Sequence, residues 1–206
     1  MRPDRLVATK CRVSDISGLA PKEASLIKVN TTRFGEIEVK EDDLIELPNG
    51  LIGFPELKKY VLLDHDKDSP FKWLQSLNDG GIAFVLINPL LFKPDYMVEV
   101  SEEEIGHLDL KKEADAVISV ILSIPTNPQN MTANLKAPLV FNLINRKGKQ
   151  LVLRNEVYTT RHNIMDEIKK HTSTSTGLAV QEAIEKAKAE KEASQHAPQA
   201  DVSNKK

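Results

Sequence analysis

The chain has 206 residues, of which 40% are hydrophobic and 28% charged, and its formal net charge is −2. Its single cysteine, Cys11, excludes an internal disulfide framework and a paired-cysteine metal or redox site. No window approaches the roughly 18 to 20 apolar residues that a membrane-spanning helix needs, so we expect a cytoplasmic protein with no membrane partner.

The charged residues divide the chain into three segments. Residues 1–29 carry a net charge of +3 and predict a polar, flexible leader. Residues 30–162 carry −5 and predict the folded domain, and residues 163–206 are neutral. Because an acidic domain repels phosphate backbones, direct binding to nucleic acid is disfavoured and a basic partner is favoured.

Short runs of β-branched and large apolar residues follow one another at a spacing of about ten residues, with turn signals between them. This spacing indicates a mainly β fold, either a barrel or a folded sheet. The predicted strands cover residues 36–39, 44–47, 60–64, 71–76, 82–87, 96–100, 116–124 and 156–159.

A β-hairpin is predicted between the last two of these runs. Its strands cover residues 139–145 and 150–153, and residues 146–149 form the turn, with Gly148 free to adopt a positive φ. Leu139 and Phe141 alternate with Val140, so both faces of the first strand carry apolar side chains. We therefore expect this strand to be covered on both sides.

One segment has a helical pattern. Ser101 is followed three residues later by Glu104, which matches a capping box, and the acidic first turn suits the positive end of a helix dipole. The prediction is a short helix over residues 102–107 and a weaker helical turn over residues 111–115.

The last segment differs in composition from the domain. The polar run "HTSTSTG" predicts a linker, and "LAVQEAIEKAKAEKEA" combines strong helix formers with a thin apolar face. The final residues are typical of disorder. Residues 163–206 are thus expected to form a linker, a helical tail and a disordered end.

No pattern in the sequence predicts a catalytic, cofactor or metal site. The segment "DHDKDSP", residues 64–70, has alternating carboxylates like a calcium loop, but it lacks the required glycine and the final glutamate. The five histidines lie far apart, and none has the spacing of a zinc-binding helix. We interpret residues 64–70 as a turn and expect a protein without enzymatic activity.

The best candidates for binding lie between residues 90 and 104. Three apolar residues occupy a loop between two prolines, where they either fold back onto the core or form an exposed patch for a partner. A concentration of carboxylates follows, which forms either a solvated face or a binding surface. The candidate protein-binding residues are Leu90, Leu91, Phe92, Asp95, Tyr96, Glu99, Glu102, Glu103 and Glu104.

Six motifs in residues 30–162 occur in the order and spacing of one bacterial family. They are "LPNGLIGF", "FKWLQS", "INP", "KPDY", "TANLKAP" and "NRKGKQ". The chain resembles the flagellar assembly factor FliW family in these motifs. The resemblance implies a closed, antiparallel-rich pseudobarrel, to which the sequence adds one or two short helices and the C-terminal helical tail.

The resemblance also implies a function that depends on partner switching. FliW-like proteins bind CsrA, a small basic repressor of flagellin mRNA translation, and they also bind flagellin before its export. We expect both partners here and no cofactor. Two alternatives stay open from the residues alone: an RNA-binding small barrel, and a small hydrolase with dispersed carboxylates.

Overall fold

The computed structural model describes residues 5–6, 26–64 and 69–170. Its regular elements are short strands with two short α-helices, α1 Glu102–Ile105 and α2 Ile164–Lys170. The strands are β1 Arg5–Leu6, β2 Leu26–Thr31, β3 Gly35–Lys40, β4 Leu44–Glu46, β5 Lys59–Asp64, β6 Phe71–Ser76, β7 Ala83–Ile87, β8 Val98–Glu99, β9 Ala116–Ser123, β10 Thr132–Ala133, β11 Leu139–Asn142, β12 Lys147–Gln150 and β13 His162–Asn163. Turns of 3₁₀ helix lie at Glu41–Asp43, Pro89–Leu91, Gly106–Leu108, Glu113–Asp115 and Pro128–Asn130.

Seven strands close into a barrel in the order β11–β12–β4–β5–β6–β7–β9, and β9 pairs with β11 to complete the ring. All neighbours are antiparallel except β12 and β4, which are parallel through Lys147 and Glu46. Closure is possible because β9 is eight residues long, so it pairs in turn with β11, β7 and β10. The predicted fold class, a mainly β closed pseudobarrel, is confirmed. The predicted tail helix lies outside the described residues.

Two hydrophobic clusters use opposite faces of the same strands. On β11, Leu139 and Phe141 belong to the smaller cluster, whereas Val140 belongs to the larger one. The smaller cluster draws on five barrel strands, so it fills the interior of the barrel. The larger cluster includes residues of β8, β10 and α2, which are not part of the closed ring, so it covers the outer face. The prediction that β11 is covered on both sides is confirmed.

Most strands predicted from the β-rich runs coincide with observed ones. The predictions over residues 36–39, 44–47, 60–64, 71–76, 82–87 and 116–124 correspond to β3, β4, β5, β6, β7 and β9 to within one residue at each end. The observed strand β8 is shorter than the strand predicted over residues 96–100, because only Val98 and Glu99 pair with another strand.

Strand β2 was not predicted. It begins at Leu26, inside the segment assigned to the polar leader, and it pairs with β3 along its whole length. The N–H of Thr32 donates to the carbonyl oxygen of Gly80 at 3.1 Å, which ties this ribbon to the β6–β7 turn. The alternation of Ile27 and Val29 with polar residues was the available signal.

The strand predicted over residues 156–159 is wrong. The N–H of Val157 donates to Asn155 Oδ1 at 2.9 Å, which forms a side-chain turn. Tyr158 is buried with its ring centroid 4.6 Å from that of Tyr96. The pattern that suggested a strand therefore comes from the buried Tyr158, and residues 156–159 do not pair with a strand.

The predicted hairpin is present, but its turn lies three residues earlier than predicted. Residues 143–146 form the turn, and Arg146, not Gly148, has the positive φ, at 58°. Asn142 starts the turn, because its Oδ1 accepts from the N–H of Ile144 at 2.9 Å. The apolar Leu143 and Ile144 made this turn look like a continuing strand.

Gly148 has a packing role in place of the predicted turn role. It lies in β12 directly opposite Phe141, and a Cβ atom at this position would meet Phe141 Cδ1 at 2.7 Å. Since Phe141 is fully buried inside the barrel, the ring has little freedom to move away. The glycine therefore makes room for the aromatic core residue.

The helical predictions are confirmed by α1 with its following 3₁₀ turn, and by the 3₁₀ turn Glu113–Asp115. Other predictions lie outside the described residues. These are the leader apart from residues 5–6 and 26–29, the turn at residues 65–68, and the linker, helical tail and disordered end after residue 170.

Substitution of Gly148 by alanine should destabilise the barrel by roughly 1 to 3 kcal/mol, the usual cost of overpacking a well-packed core. Urea unfolding of Gly148→Ala measures the change. Gly106→Ala is the matched control, because that glycine has helical dihedral angles and nothing within 4 Å of an added Cβ. The packing role is refuted if both variants unfold at the midpoint of the parent protein.

Candidate protein-binding site around helix α1

Helix α1 begins at a complete capping box. The Ser101 hydroxyl accepts from the N–H of Glu104 at 3.3 Å, and Glu104 Oε2 accepts from the N–H of Ser101 at 2.9 Å. The Ser101 hydroxyl also donates to Oε2 at 3.0 Å, and the two hydrogen bonds that Ser101 donates to this carboxylate, together with the charges of Arg154 and Lys149, lower the pKa of Glu104. The cap therefore keeps the Glu104 carboxylate charged and fixes the direction of the helix.

The β11–β12 hairpin holds the other end of this helical segment. The side-chain amides of Asn142 and Asn145 donate to the carbonyl oxygen of Leu108 at 2.8 and 2.9 Å. Lys149 Nζ donates to the carbonyl oxygen of Glu104 at 2.6 Å. Because Asn142 is buried in the barrel wall, α1 is fixed to the rigid part of the molecule.

A groove of about 250 Å³ separates β8 and α1 from the extended segment of residues 151–155. Its apolar lining includes two side chains that face solvent, Met97 at 39% and Val152 at 60% exposure. Glu99, Glu104 and Arg154 supply its charges. A concave surface with apolar walls and a few charges is suited to a peptide segment of another chain.

The predicted acidic residues lie around this groove. Glu99 and Glu104 line it, while Glu102 and Glu103 project from α1 and are exposed. Asp95 is also exposed, and Lys93 Nζ donates to its carboxylate at 2.9 Å. The structure thus places two of the predicted carboxylates, Glu99 and Glu104, in the lining of the groove.

The predicted apolar residues behave differently. Phe92 and Tyr96 are each 1% exposed, and the Tyr96 hydroxyl donates to the carbonyl oxygen of Leu135 at 2.8 Å. Leu90 and Leu91 are partly buried against the same cluster. Of the two alternatives for this loop, the structure shows the one in which it folds back onto the core. Phe92 and Tyr96 therefore offer no surface to a partner.

A buried ion cluster lies beside this loop, and no sequence pattern predicted it. Glu167 on α2 is 4% exposed, and its Oε1 lies 3.0 Å from His162 Nε2 and 2.8 Å from Lys170 Nζ. Lys93 Nζ lies 4.0 Å from its Oε2. The cluster joins α2, which lies beyond the predicted domain end at residue 162, to the loop that carries Asp95.

The pKa of Glu167 results from opposing effects. Burial would raise this pKa, but the hydrogen bonds from Lys170 and His162 and the charge of Lys93 outweigh burial and lower it. The carboxylate is therefore ionised in the folded protein and contributes to holding α2 in place.

Within the described ranges, no group of three or more His, Cys, Asp or Glu side chains lies together as a metal ion would require. The same part of the chain has no helix that is long and apolar enough to cross a membrane.

The part of the chain that matches a known protein family contains the barrel. The family model described as "FliW protein" matches residues 28–164. The chain is 46% identical over 143 residues to the flagellar assembly factor FliW of Alkaliphilus metalliredigens, covering 69% of this chain and 88% of that relative. It is 43% identical to the FliW of Syntrophus aciditrophicus over 139 residues, covering 68% of this chain and 88% of the relative.

A solved structure gives the same result. The crystal structure of a flagellar assembly factor FliW matches with a TM-score of 0.63 and 37% sequence identity, covering 66% of this chain and 96% of that chain. The family match includes the whole barrel, the groove and α1, and it ends at the first residue of α2.

Neutralising Glu167 should weaken the attachment of α2 by about 1 to 3 kcal/mol, since a buried charge-assisted hydrogen-bond network is broken. Because the pKa of Glu167 is lowered from its usual 4.5, its contribution is present above that pH and is lost as the pH falls further. Unfolding of Glu167→Gln at neutral and acidic pH measures this. The variant should be less stable than the parent at neutral pH, and the difference should shrink in acid.

The exposed neighbour on the same helix provides the control. Asp166→Asn removes a carboxylate that is 64% exposed and 3.7 Å from Lys169, so stability should change little. An equal loss in both variants would mean that the buried cluster has no special role.

Proposed function

Because this chain belongs to the FliW family of flagellar assembly factors, we propose that it controls flagellin synthesis by binding two protein partners in alternation. One partner is CsrA, the basic repressor that covers the ribosome-binding site of flagellin mRNA. The other is flagellin before its export, for which the protein acts as a chaperone. The proposed action is binding in the cytoplasm, without catalysis.

The proposed circuit follows from mass action. Free flagellin occupies the protein and leaves CsrA on the message, so translation is repressed. Export of flagellin frees the protein, which then removes CsrA from the mRNA. Each partner therefore lowers the apparent affinity for the other in proportion to its free concentration.

The observation that carries the CsrA part of this proposal is the exposed acidic face of α1. Glu102 and Glu103 project into solvent beside the groove, on a helix that is capped at its start and clamped at its end. A protein that grips RNA phosphates must present a basic surface. Opposite charges on two rigid surfaces steer encounter and set the orientation of the complex.

Flagellin would use apolar surface more than charge. Its terminal segments are amphipathic helices, which dock by burying their apolar faces in a groove. Leu90 and Leu91 retain part of their surface, and Met97 and Val152 are exposed at the groove. We place flagellin against these side chains, so its binding should depend less on salt than that of CsrA.

Reversing the two exposed carboxylates should slow CsrA association. Glu102→Lys with Glu103→Lys is expected to lower the association rate roughly three- to tenfold at low salt and to flatten its salt dependence, with less effect on flagellin. Glu104 is kept, because its carboxylate completes the cap. Stopped-flow or surface-based kinetics at two salt concentrations give both rates.

A second acidic turn provides a matched control. Glu41→Lys with Asp42→Lys produces the same change in net charge at two exposed residues of the 3₁₀ turn Glu41–Asp43. If CsrA association responds equally to both double variants, overall charge explains the effect. If it responds to neither while the fold is intact, α1 is a solvated face and the proposed contact is wrong.

A further inference from the structure

Strand β8 stands apart from the barrel. Within the described residues its only ladder partner is β1, a two-residue strand of the leader. The pair is antiparallel, with Arg5 opposite Glu99 and Leu6 opposite Val98. A segment that is distant in sequence therefore occupies the edge of the strand that borders the groove.

The β8 backbone is firmly held, so its edge is a preformed template. Val98 and Val100 are buried, and the N–H of Met97 donates to the Tyr158 hydroxyl at 3.0 Å. The pairing with β1 uses Val98 and Glu99, the two residues that follow Met97. An exposed strand edge of this kind accepts an extended peptide by main-chain hydrogen bonding.

The leader and the groove have complementary charge. Residues 1–29 carry a net charge of +3, whereas the groove next to β8 contains Glu99 and Glu104. The occupant of this edge is thus an extended segment from a basic region. A basic partner that reaches the groove would compete for the same edge and the same carboxylates.

We propose that the leader is an intramolecular competitor: through β1 it occupies the edge of β8, and a basic partner must displace it in order to bind. The identity of that partner as CsrA rests on the proposed function. The open edge is then populated only for a fraction of the time, and the apparent affinity for the partner is reduced by that fraction. Releasing the leader raises the affinity without any new contact.

A proline substitution tests the pairing through the backbone alone. Leu6→Pro removes the main-chain N–H of the residue that lies opposite Val98 in the β1–β8 register, and Leu6→Ala is the matched control that keeps this N–H. In the full-length Leu6→Pro chain we expect faster hydrogen exchange at the Val98 amide and a roughly three- to tenfold lower dissociation constant for CsrA. Leu6→Ala should retain the exchange rate and affinity of the parent protein.

A synthetic peptide tests whether the edge accepts the leader sequence in trans. The peptide of residues 2–12, added to the Leu6→Pro chain, should protect the Val98 amide again and return CsrA affinity to the parent value. The same peptide carrying the Leu6→Pro substitution should do neither.

The outcomes separate this inference from the proposed function. If CsrA binds the parent and Leu6→Pro chains equally, the competitor role is refuted and the proposed partner stands. If CsrA binds neither chain, while exchange and peptide binding behave as expected, the proposed partner is wrong and the leader is still shown to occupy the edge. If the Val98 amide exchanges equally in all variants, the β1–β8 contact does not regulate access to the groove.

Discussion

The closure of the barrel by β11 is the constraint on which the other features depend. This strand pairs with β9 on one side and β12 on the other, and its alternating side chains belong to both hydrophobic clusters. Phe141 fills the interior only because Gly148 leaves space for its ring. Asn142, at the end of the same strand, turns its amide to the carbonyl oxygen of Leu108. The strand that closes the barrel therefore also fixes the position of α1.

This arrangement suits a protein that acts by holding partners. The acidic helix is attached at both ends, by the Ser101 cap and by the hairpin amides, so its charges keep a fixed orientation. A rigid charged surface loses little conformational entropy on binding, and its field acts before contact. The groove beside it adds apolar area at Met97 and Val152. Charged and apolar surface therefore lie side by side at the groove.

Two segments outside the family match contact the same part of the matched domain. The match begins at residue 28, yet β1 at Arg5–Leu6 pairs with β8 inside the matched domain. At the other end, α2 extends past residue 164 and is joined to the core through the buried Glu167. Both contacts reach the stretch from Lys93 to Glu99, where the loop of Asp95 continues into β8. The leader strand and α2 therefore meet the matched domain at neighbouring positions along the chain.

The sequence by itself determined the β class, six strands and the capped acidic helix, because alternation, turn residues and capping boxes are local patterns. It also supported the family, since six motifs in order are a property of the sequence. Tertiary structure decided the rest. The hairpin turn lies at Asn142 to Arg146 because the contact between Gly148 and Phe141 outweighs the local preference of glycine for a turn. Phe92 is buried, Lys93 approaches Glu167, and β8 pairs with β1 only because residues far apart in sequence meet in the fold. Such contacts depend on how strands meet in space, which no local pattern contains.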